Sequence, residues 1–455
     1  MKKPWNSMER PMGRRSLFAG AAALFASGFG ARWLLEDRAA APKVQRVRQP
    51  LPMRPGYIDV AEFKKTVTVE HLNQTAEQYF AGSNYKNLDF FLSKPLAQIE
   101  DCPLLLNSVS HIFAGLELRP GMTVIDFGAG SCWLSRWLTQ LGMKVIALDV
   151  SPTALKIGQQ LYERLPIIGD KPPPSFLLFD GYRIDLPDAS VDRILVFDAF
   201  HHLLNPDAVL KEMSRVLRPG GIAGFSEPGP NHSRTPRSQF AIRHFKVLED
   251  DVDIQRIWSG AQQAGFSRMR LAIHNPRPML VSLAEFGEYL DGGKPAERFA
   301  AATRDEMEER RVFFLQKGAA APVLDSRRPE GLAATLQVEI ERATVKAGAS
   351  LVARVVATNS GRATWLPHSA KPGAVLFGCH LLDGSGGLRE LGYFRHRLTP
   401  GEGRAIAPGE SVAFDVHIPA PARGSYILEC DLMSESAGWF ALFGSEPVRK
   451  KVATE

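Results

Sequence analysis

The chain has 455 residues, too many for one ordinary domain, so we expect two or three domains. With 45% hydrophobic and 23% charged residues, its composition is typical of globular proteins. The net charge of +6 is concentrated in residues 1–56, which hold 11 Lys and Arg against 3 Asp and Glu, so the remainder carries −2 and no nucleic-acid partner is expected. Four cysteines without a CxxC pair argue against a disulfide scaffold and a structural zinc site, and we predict no metal site.

The N-terminus, residues 1–38, has the layout of a signal-like or anchor segment. Arg14-Arg15 precede an apolar run, a pattern that resembles a twin-arginine export signal, and residues 39–41 are alanines suited to cleavage. An uncleaved anchor and a start codon misassigned upstream of Met53 are the alternatives. The segment also allows membrane association. Residues 39–56 then form a Pro/Arg-rich linker.

Strands and helices alternate in the next part of the chain, which we assign to one domain over residues 57–285. The predicted strands are 123–127, 144–150, 175–180, 191–200 and 221–228, and the predicted helices are 131–141, 151–165 and 206–217. Such alternation predicts an α/β fold in which helices cover both faces of a parallel sheet.

A different pattern follows this domain. Residues 286–318 are charged and predict a helical extension, and residues 319–331 form a second linker. Beyond the linker the apolar period changes to two. The alternating positions are Val375, Phe377, Cys379 and Leu381, then Val412, Phe414 and Val416, then Tyr426, Leu428, Cys430 and Leu432. We therefore predict an antiparallel β-sandwich domain over residues 332–447.

Acidic residues and a glycine turn stand where the predicted strands end. The first strand ends in Asp126 and runs through Gly128 and Gly130 into a helix, a turn that lets the backbone approach a ligand. The next three strands end near Asp149, Asp180 and Asp198. Because the carboxyl ends of parallel strands meet at one edge, these acids predict a ligand site there.

Two kinds of cofactor compete for this edge. A dinucleotide site needs a third glycine to seat its pyrophosphate, and Trp133 occupies that position. Four carboxylates would also repel a pyrophosphate. They suit a cofactor that has a ribose, an adenine amine and a cationic sulfonium but no phosphate, with Asp149 placed to hold the ribose hydroxyls.

Four successive segments resemble the motifs of class I S-adenosylmethionine-dependent methyltransferases, in the type 11, quinone-biosynthesis-like branch. They are VIDFGAGSCWLSRWL, VIALDVSPTAL, DLPDASVDRILVFDAFHHL and MSRVLRPGGIAGFSEPG, within about residues 118–230. The resemblance implies a Rossmann-like domain with S-adenosyl-L-methionine as cofactor. It implies a cofactor loop made of Asp126, Phe127, Gly128, Ala129, Gly130 and Ser131. It further implies that Asp149 binds ribose, Val150 lies against adenine, Asp180 and Gly181 meet the adenine amine, and Asp198 faces the methionine part.

The catalytic residue is left open by the sequence. Methyl transfer is an in-line displacement at an activated carbon, so alignment supplies most of the rate and a base matters only for a nucleophile of high pKa. The candidates for a base are Glu227, His232, His201 and His202, of which Glu227 and His232 stand after the fifth strand and are better placed to meet substrate.

The acceptor is also left open. We expect an enzyme that methylates a small acceptor, with a glycan as the first choice and a lipid or quinone as the alternative. A catalytically silent Rossmann-like scaffold that carries a β-sandwich binding module is a hypothesis of another class.

The compartment can be argued from the cofactor and from two cysteines. S-adenosylmethionine is made in the cytoplasm, so we predict a cytoplasmic protein with membrane association as an option and twin-arginine export as the alternative. Cys379 and Cys430 fall on the inward faces of their strands and could meet in the core. We predict that they are free thiols, as in a reducing compartment.

Overall fold

The computed structural model describes residues 53–84, 88–319, 324–369, 372–399 and 403–455. The predicted signal-like segment, its cleavage site and nearly all of the first linker lie outside these ranges. Within them, no helix combines the length and the apolar character that crossing a bilayer requires.

From residue 53 onward, the described part of the chain has four helices before its first strand. They are α1 (Val60–Lys64), α2 (Val69–Asn84), α3 (Leu88–Leu92) and α4 (Cys102–Gly115). Asp59 caps α1 through its side chain, and Pro103 occupies the first turn of α4, where its missing N–H is not needed. Of these helices, α4 packs against the sheet described next, where Val109 and Ile112 join its hydrophobic core.

The first sheet has seven strands, and its core strands are parallel as predicted. The elements in chain order are β1 (Thr123–Phe127), α5 (Trp133–Gln140), β2 (Lys144–Asp149), α6 (Pro152–Arg164), β3 (Ser175–Leu178), β4 (Val191–Phe197), α7 (Pro206–Val216), β5 (Leu217–Pro228), α8 (Pro236–Phe245), α9 (Ile254–Gln263), β6 (Arg268–Ala272), α10 (Leu283–Leu290), α11 (Lys294–Glu309) and β7 (Arg310–Gln316). The strand order is β3-β2-β1-β4-β5-β7-β6. One hydrophobic cluster packs on each face of this sheet, so the fold is α/β and Rossmann-like.

The predicted helical extension over residues 286–318 is wrong for residues 310–316. They form β7, which lies antiparallel between β5 and β6 rather than continuing the helix. The ring of Phe313 stacks on Phe225 with centroids 4.6 Å apart, and both rings are fully buried. The charged helix α11 ends at Glu309 and the strand begins at the next residue, so no glycine or proline marks the change. The first sheet therefore extends past residue 285, where the sequence ended its domain.

The C-terminal β region, residues 324–455, contains two sheets. Its strands are β8 (Ala334–Ile340), β9 (Thr344–Val345), β10 (Ser350–Asn359), β11 (Val375–Asp383), β12 (Leu388–Arg397), β13 (Ser411–Pro419), β14 (Gly424–Ser434), β15 (Gly438–Trp439) and β16 (Val448–Thr454). The sheet orders are β13-β10-β8 and β12-β11-β14-β16-β9, with β15 pairing β14. All pairs are antiparallel except β16 with β9.

The residues of the period-two pattern lie in strands β11, β13 and β14 of this region. Phe377, Cys379, Leu428 and Cys430 are buried in one core to which both sheets contribute. The region does not stop at residue 447 as predicted, because β16 pairs with β14 through residue 454. Three consecutive basic residues, Arg449, Lys450 and Lys451, interrupt any apolar alternation in β16, so the sequence shows no strand pattern there.

Cys379 and Cys430 meet as the sequence suggested, but on neighbouring strands of one sheet. They pair directly between β11 and β14, and their Sγ atoms are 3.3 Å apart. Both are free thiols in the structure. The separation exceeds the roughly 2.05 Å of a disulfide bond but is within reach of one.

Candidate active site

The turn after β1 is shaped by two glycines. Gly128 and Gly130 have φ of 70° and 53°, in the left-handed region that favours glycine. A Cβ at Gly128 would lie 2.4 Å from the Cβ of Ala199, so a side chain there would also clash with the segment after β4. The two glycines bring the β1 and β4 ends together.

Asp149 closes this turn from the end of β2. Its Oδ2 accepts a hydrogen bond from the Gly130 amide at 2.8 Å, and its Oδ1 accepts one from the Ser151 amide at 2.9 Å. Burial raises the pKa of this carboxyl. Each carboxylate oxygen can accept a second hydrogen bond, so the side chain can hold the turn and also bind two hydroxyls. Val150, next in the chain, is half-buried.

Ser131 and Asp126, two polar side chains of the turn, differ in their hydrogen bonding. The Oγ of Ser131 is buried and has no hydrogen-bond partner among the described residues. Asp126 points inward, where its Oδ2 accepts a hydrogen bond from the Ser135 hydroxyl at 2.6 Å and burial raises its pKa to about 6. Phe127 and Ala129 are buried. Ser131 is thus the polar group of the turn that lacks a partner.

The third strand end carries Asp180 and Gly181. Asp180 is exposed, and its Oδ1 accepts hydrogen bonds from the amides of Tyr182 and Arg183. Gly181 has φ of 93°, and a Cβ there would lie 2.4 Å from Val69 of α2. The turn is therefore held close beneath that helix.

Asp198 at the end of β4 is paired with a residue that the sequence did not single out. Its Oδ1 accepts a hydrogen bond from Arg310 at 2.7 Å, and Arg310 also donates to the Ser226 hydroxyl. Burial by itself would raise the pKa of Asp198, but Arg310 and His201 outweigh it and hold the pKa below its usual value. Arg310 begins β7, the strand that the sequence assigned to a helix.

Beyond Asp198 lies a group of ionisable side chains that we call the histidine cluster: His201, His202, His232, Glu227 and Glu249. His201 Nδ1 is 2.7 Å from Glu227, and His232 Nε2 is 2.6 Å from Glu249. Burial by itself would lower the pKa of His201, but the hydrogen bond and charge of Glu227 raise it. Burial and the neighbouring His201 lower the pKa of His202 to about 4. The structure thus gathers all four predicted base candidates in one place.

Glu227 differs from its expected position at the substrate. Its side chain is fully buried, and its carboxylate accepts hydrogen bonds from the amides of Ala199, Phe200 and His201. Glu227 lies within β5, which ends at Pro228 as predicted, and its side chain turns toward the segment after β4. The carboxylate fixes the backbone that carries the two histidines.

Comparisons with known proteins agree with this geometry. A family model described as a methyltransferase domain matches residues 125–225. Demethylmenaquinone methyltransferase of Streptomyces griseus is 26% identical over 135 residues, 29% of this chain and 55% of that protein. The ubiquinone/menaquinone biosynthesis C-methyltransferase of a Shewanella species is 30% identical over 136 residues, 29% of this chain and 52% of that protein. The chain thus spans about half the length of these curated relatives.

The matched residues contain the glycine turn and the ends of the first four parallel strands. Residues 125–225 therefore form a class I S-adenosylmethionine-dependent methyltransferase domain. A solved S-adenosylmethionine dependent methyltransferase from Mesorhizobium loti is similar to it at 17% identity and a TM-score of 0.34, covering 46% of this chain and 96% of that one.

Helix α2 covers the edge of the sheet where β1, β2 and β3 end. Glu77 accepts hydrogen bonds from the Ser151 hydroxyl at 2.6 Å and the Thr153 amide at 3.1 Å, beside Asp149. The ring of Phe80 would lie 3.5 Å from a Cβ at Gly130, and Asn73 donates to the carbonyl of Asp180. No motif marked α2 in the sequence, because its contacts reach residues about 50 to 110 positions away.

Two functional-looking features have plain structural roles. Trp133 and Trp137 pack edge to face with centroids 5.5 Å apart and belong to a hydrophobic core on one face of the sheet. Cys132 is buried against α6, where a Cβ at Gly158 would meet its Sγ, and burial raises the pKa of its thiol. It therefore has the environment of an inert, structural cysteine.

Proposed function

We propose that the chain is an active S-adenosylmethionine-dependent methyltransferase that modifies a small acceptor. The observation that carries this proposal is the partnerless, buried Oγ of Ser131 in the glycine turn that Asp149 closes. A buried hydroxyl without a partner costs free energy unless a ligand supplies one. In the proposal, Ser131 bonds the amino-acid end of the cofactor, Asp149 its ribose and Asp180 its adenine amine. Asp198 faces the sulfonium side.

The acceptor is proposed to be a hydroxyl-bearing small molecule, with a glycan as the first choice. The support is the histidine cluster, which follows Asp198 on the chain and offers donors and acceptors where the methyl group would be delivered. Transfer forms a bond from the acceptor oxygen to the methyl carbon, breaks the bond from that carbon to sulfur, and leaves S-adenosylhomocysteine. The acceptor hydroxyl gives up its proton. Alignment of oxygen, carbon and sulfur supplies most of the acceleration.

A lipid or quinone acceptor is the second candidate, and an aromatic patch favours it. Tyr79, Phe240 and Phe245 are 41%, 55% and 47% exposed and pack against one another, with Tyr79 to Phe245 centroids at 6.1 Å. Tyr79 also contacts Phe80, which lies over the glycine turn. Exposed apolar side chains in contact near a site suit a ring or an acyl chain.

The matched pair Ser131→Ala and Ser135→Ala tests the role of the turn. Ser131→Ala removes a hydroxyl that is partnerless in the free protein, so we expect S-adenosylmethionine affinity to fall by about 1 kcal/mol with little loss of stability. Ser135→Ala removes the hydroxyl that bonds Asp126, so we expect it to reduce the free energy of unfolding instead. Calorimetric titration and urea unfolding of both variants measure the two effects. Unchanged affinity in Ser131→Ala would contradict the proposal.

The acceptor class is tested by methyl transfer itself. The full chain is incubated with methyl-labelled S-adenosylmethionine and separate pools of oligosaccharides, quinols and lipids, and label transfer is counted. Label in the oligosaccharide pool supports the first candidate, and label in quinols or lipids supports the second. Cofactor binding without transfer to any pool would favour the silent-scaffold hypothesis.

We also propose that the enzyme works in the cytoplasm or at the cytoplasmic face of a membrane, because its cofactor is made there. The paired thiols of Cys379 and Cys430 test this placement, because two sulfur atoms 3.3 Å apart would be oxidised to a disulfide in an oxidising compartment. Mass spectrometry of the native protein is expected to find both thiols free and no cleavage after residues 39–41. A disulfide together with a cleaved N-terminus would contradict the cytoplasmic placement and support twin-arginine export.

A further inference from the structure

Two histidines of the histidine cluster are held in a defined hydrogen-bonded state. His202 Nδ1 lies 2.6 Å from the carbonyl oxygen of Leu248, which can only accept, so Nδ1 carries the hydrogen. His201 Nδ1 lies 2.7 Å from Glu227, whose carboxylate already accepts from three backbone amides, so this nitrogen also donates. In the neutral form of each ring the Nε2 lone pair is then available to another partner, and His201 Nε2 lies 3.6 Å from Glu249 Oε2.

That arrangement is the one that protein metal sites use. A metal-binding histidine donates its second ring nitrogen to a carboxylate or a backbone carbonyl, which fixes the tautomer and the orientation of the ring. His201 has the carboxylate version and His202 the carbonyl version. The two rings lie with centroids 3.9 Å apart and planes inclined at 46°.

A third ligand is present from a different segment. One ligand atom each of His201, His202 and Glu249 lies within 4.8 Å of the others. Glu249 Oε2 is itself held by His232 Nε2 at 2.6 Å, so the carboxylate is oriented as well. Its side chain is only 13% exposed, which distinguishes it from a solvated surface acid.

We propose that His201, His202 and Glu249 bind a divalent transition-metal cation of the Zn²⁺ or Mn²⁺ class. Two imidazoles and one carboxylate are a ligand set for such ions, and three protein ligands leave positions open for other molecules. A cation about 2.1 Å from each ligand atom would draw the three atoms to roughly 3–4 Å apart, from their present separations of up to 4.8 Å. No metal motif marked these residues, because Glu249 is 47 positions from His202 and stands in an acidic run.

The site explains how an acceptor could be held, and this role rests on the proposed function. The open positions would bind two neighbouring oxygens of the acceptor, as in a vicinal diol of a sugar or of a quinol ring. The bound hydroxyl becomes more acidic and releases its proton to water. Its oxygen then takes the methyl group while the sulfonium becomes a neutral thioether. Metal binding by the three residues does not depend on that role.

The test uses the full-length chain after treatment with a chelator. Zn²⁺ is titrated by calorimetry, and Co²⁺ is used as a spectroscopic probe of nitrogen and oxygen ligands. The variants are His202→Ala and the isosteric Glu249→Gln, and the control is His244→Ala, which removes an exposed histidine of α8. Circular dichroism confirms that each variant is folded, and S-adenosylmethionine binding is measured on the same preparations.

We expect one high-affinity cation per chain, with at least a ~10-fold loss of affinity in both site variants and none in the control. Absence of Zn²⁺ and Co²⁺ binding by a folded chain that binds S-adenosylmethionine would overturn the metal site alone. Binding that both site variants retain would do the same. A chain that binds the metal but not S-adenosylmethionine would refute the proposed function and leave the metal site standing.

Discussion

Asp149 combines a structural role with a proposed binding role at the level of a single residue. Its two oxygens accept hydrogen bonds from the amides of Gly130 and Ser151, and each oxygen can accept a second hydrogen bond from a ribose hydroxyl. We predict that Asp149→Ala weakens S-adenosylmethionine binding by about 2–3 kcal/mol, because charge-assisted hydrogen bonds to hydroxyls are lost. Calorimetric titration measures this. The control is Asp415→Ala, which removes an exposed aspartate of β13. Equal affinity in both variants would show that Asp149 does not bind the cofactor.

Asp126 provides a pH-dependent prediction. Burial raises its pKa from 3.8 to about 6 in the folded protein, so the folded state keeps the proton to higher pH than the unfolded chain does. The contribution of Asp126 to stability is therefore full below pH about 4 and is lost as pH rises to about 6, by up to roughly 2–3 kcal/mol. In Asp126→Asn this loss is absent. Urea unfolding at several pH values is expected to show the smaller decline in the variant, and parallel pH profiles would contradict it.

The candidate residues that the sequence identified lie at strand ends, whereas those that it missed come from other segments of the chain. Asp126, Asp149, Asp180 and Asp198 each end a strand, so a strand pattern and a known edge were enough to bring them together. Arg310, Glu249 and Glu77 reach the site from other segments through side-chain contacts. Nothing in a local pattern encodes such contacts, so they required the structure.

At the level of an element, strand β7 is another feature that a local sequence pattern did not predict. Alternation of strands and helices was enough to predict β1 to β5, but the buried run at residues 312–315 follows a charged helix without a turn residue. A short apolar run cannot be assigned to a helix or a strand by periodicity alone. Its pairing with both β5 and β6 shows that this run is a strand.

A matched pair of phenylalanines tests the importance of β7. Phe313→Ala removes a fully buried ring stacked on Phe225, so we predict a loss of about 3–5 kcal/mol in the free energy of unfolding. Phe286→Ala lies in the same predicted extension but is 50% exposed, and its expected loss is below about 1 kcal/mol. Urea unfolding of both variants measures the difference. Similar losses would show that β7 is not part of the sheet in solution.

At the scale of the whole molecule, the C-terminal β region has its own core and its own edges. Strand β16 lies between β14 and β9. The Ser326 hydroxyl donates to the carbonyl of Gly373, and the Ser434 hydroxyl donates to the carbonyl of Ser326. Both ends of residues 324–455 therefore contribute contacts that hold the region together. We predict that a fragment of residues 324–455 unfolds cooperatively in urea, while residues 332–447, the range that the sequence suggested, do not fold. Circular dichroism distinguishes them. A folded 332–447 fragment would show that β16 is dispensable.

The central claim is that the glycine turn and the acids at the strand ends form a working S-adenosylmethionine site in the full chain. The most direct test is a calorimetric titration of S-adenosylmethionine into the full-length protein, repeated with S-adenosylhomocysteine. We predict saturable binding of one molecule per chain for both ligands, because both carry the ribose and adenine that Asp149 and Asp180 would bind. A folded protein that gives no binding heat with either ligand, at several temperatures, would contradict the claim.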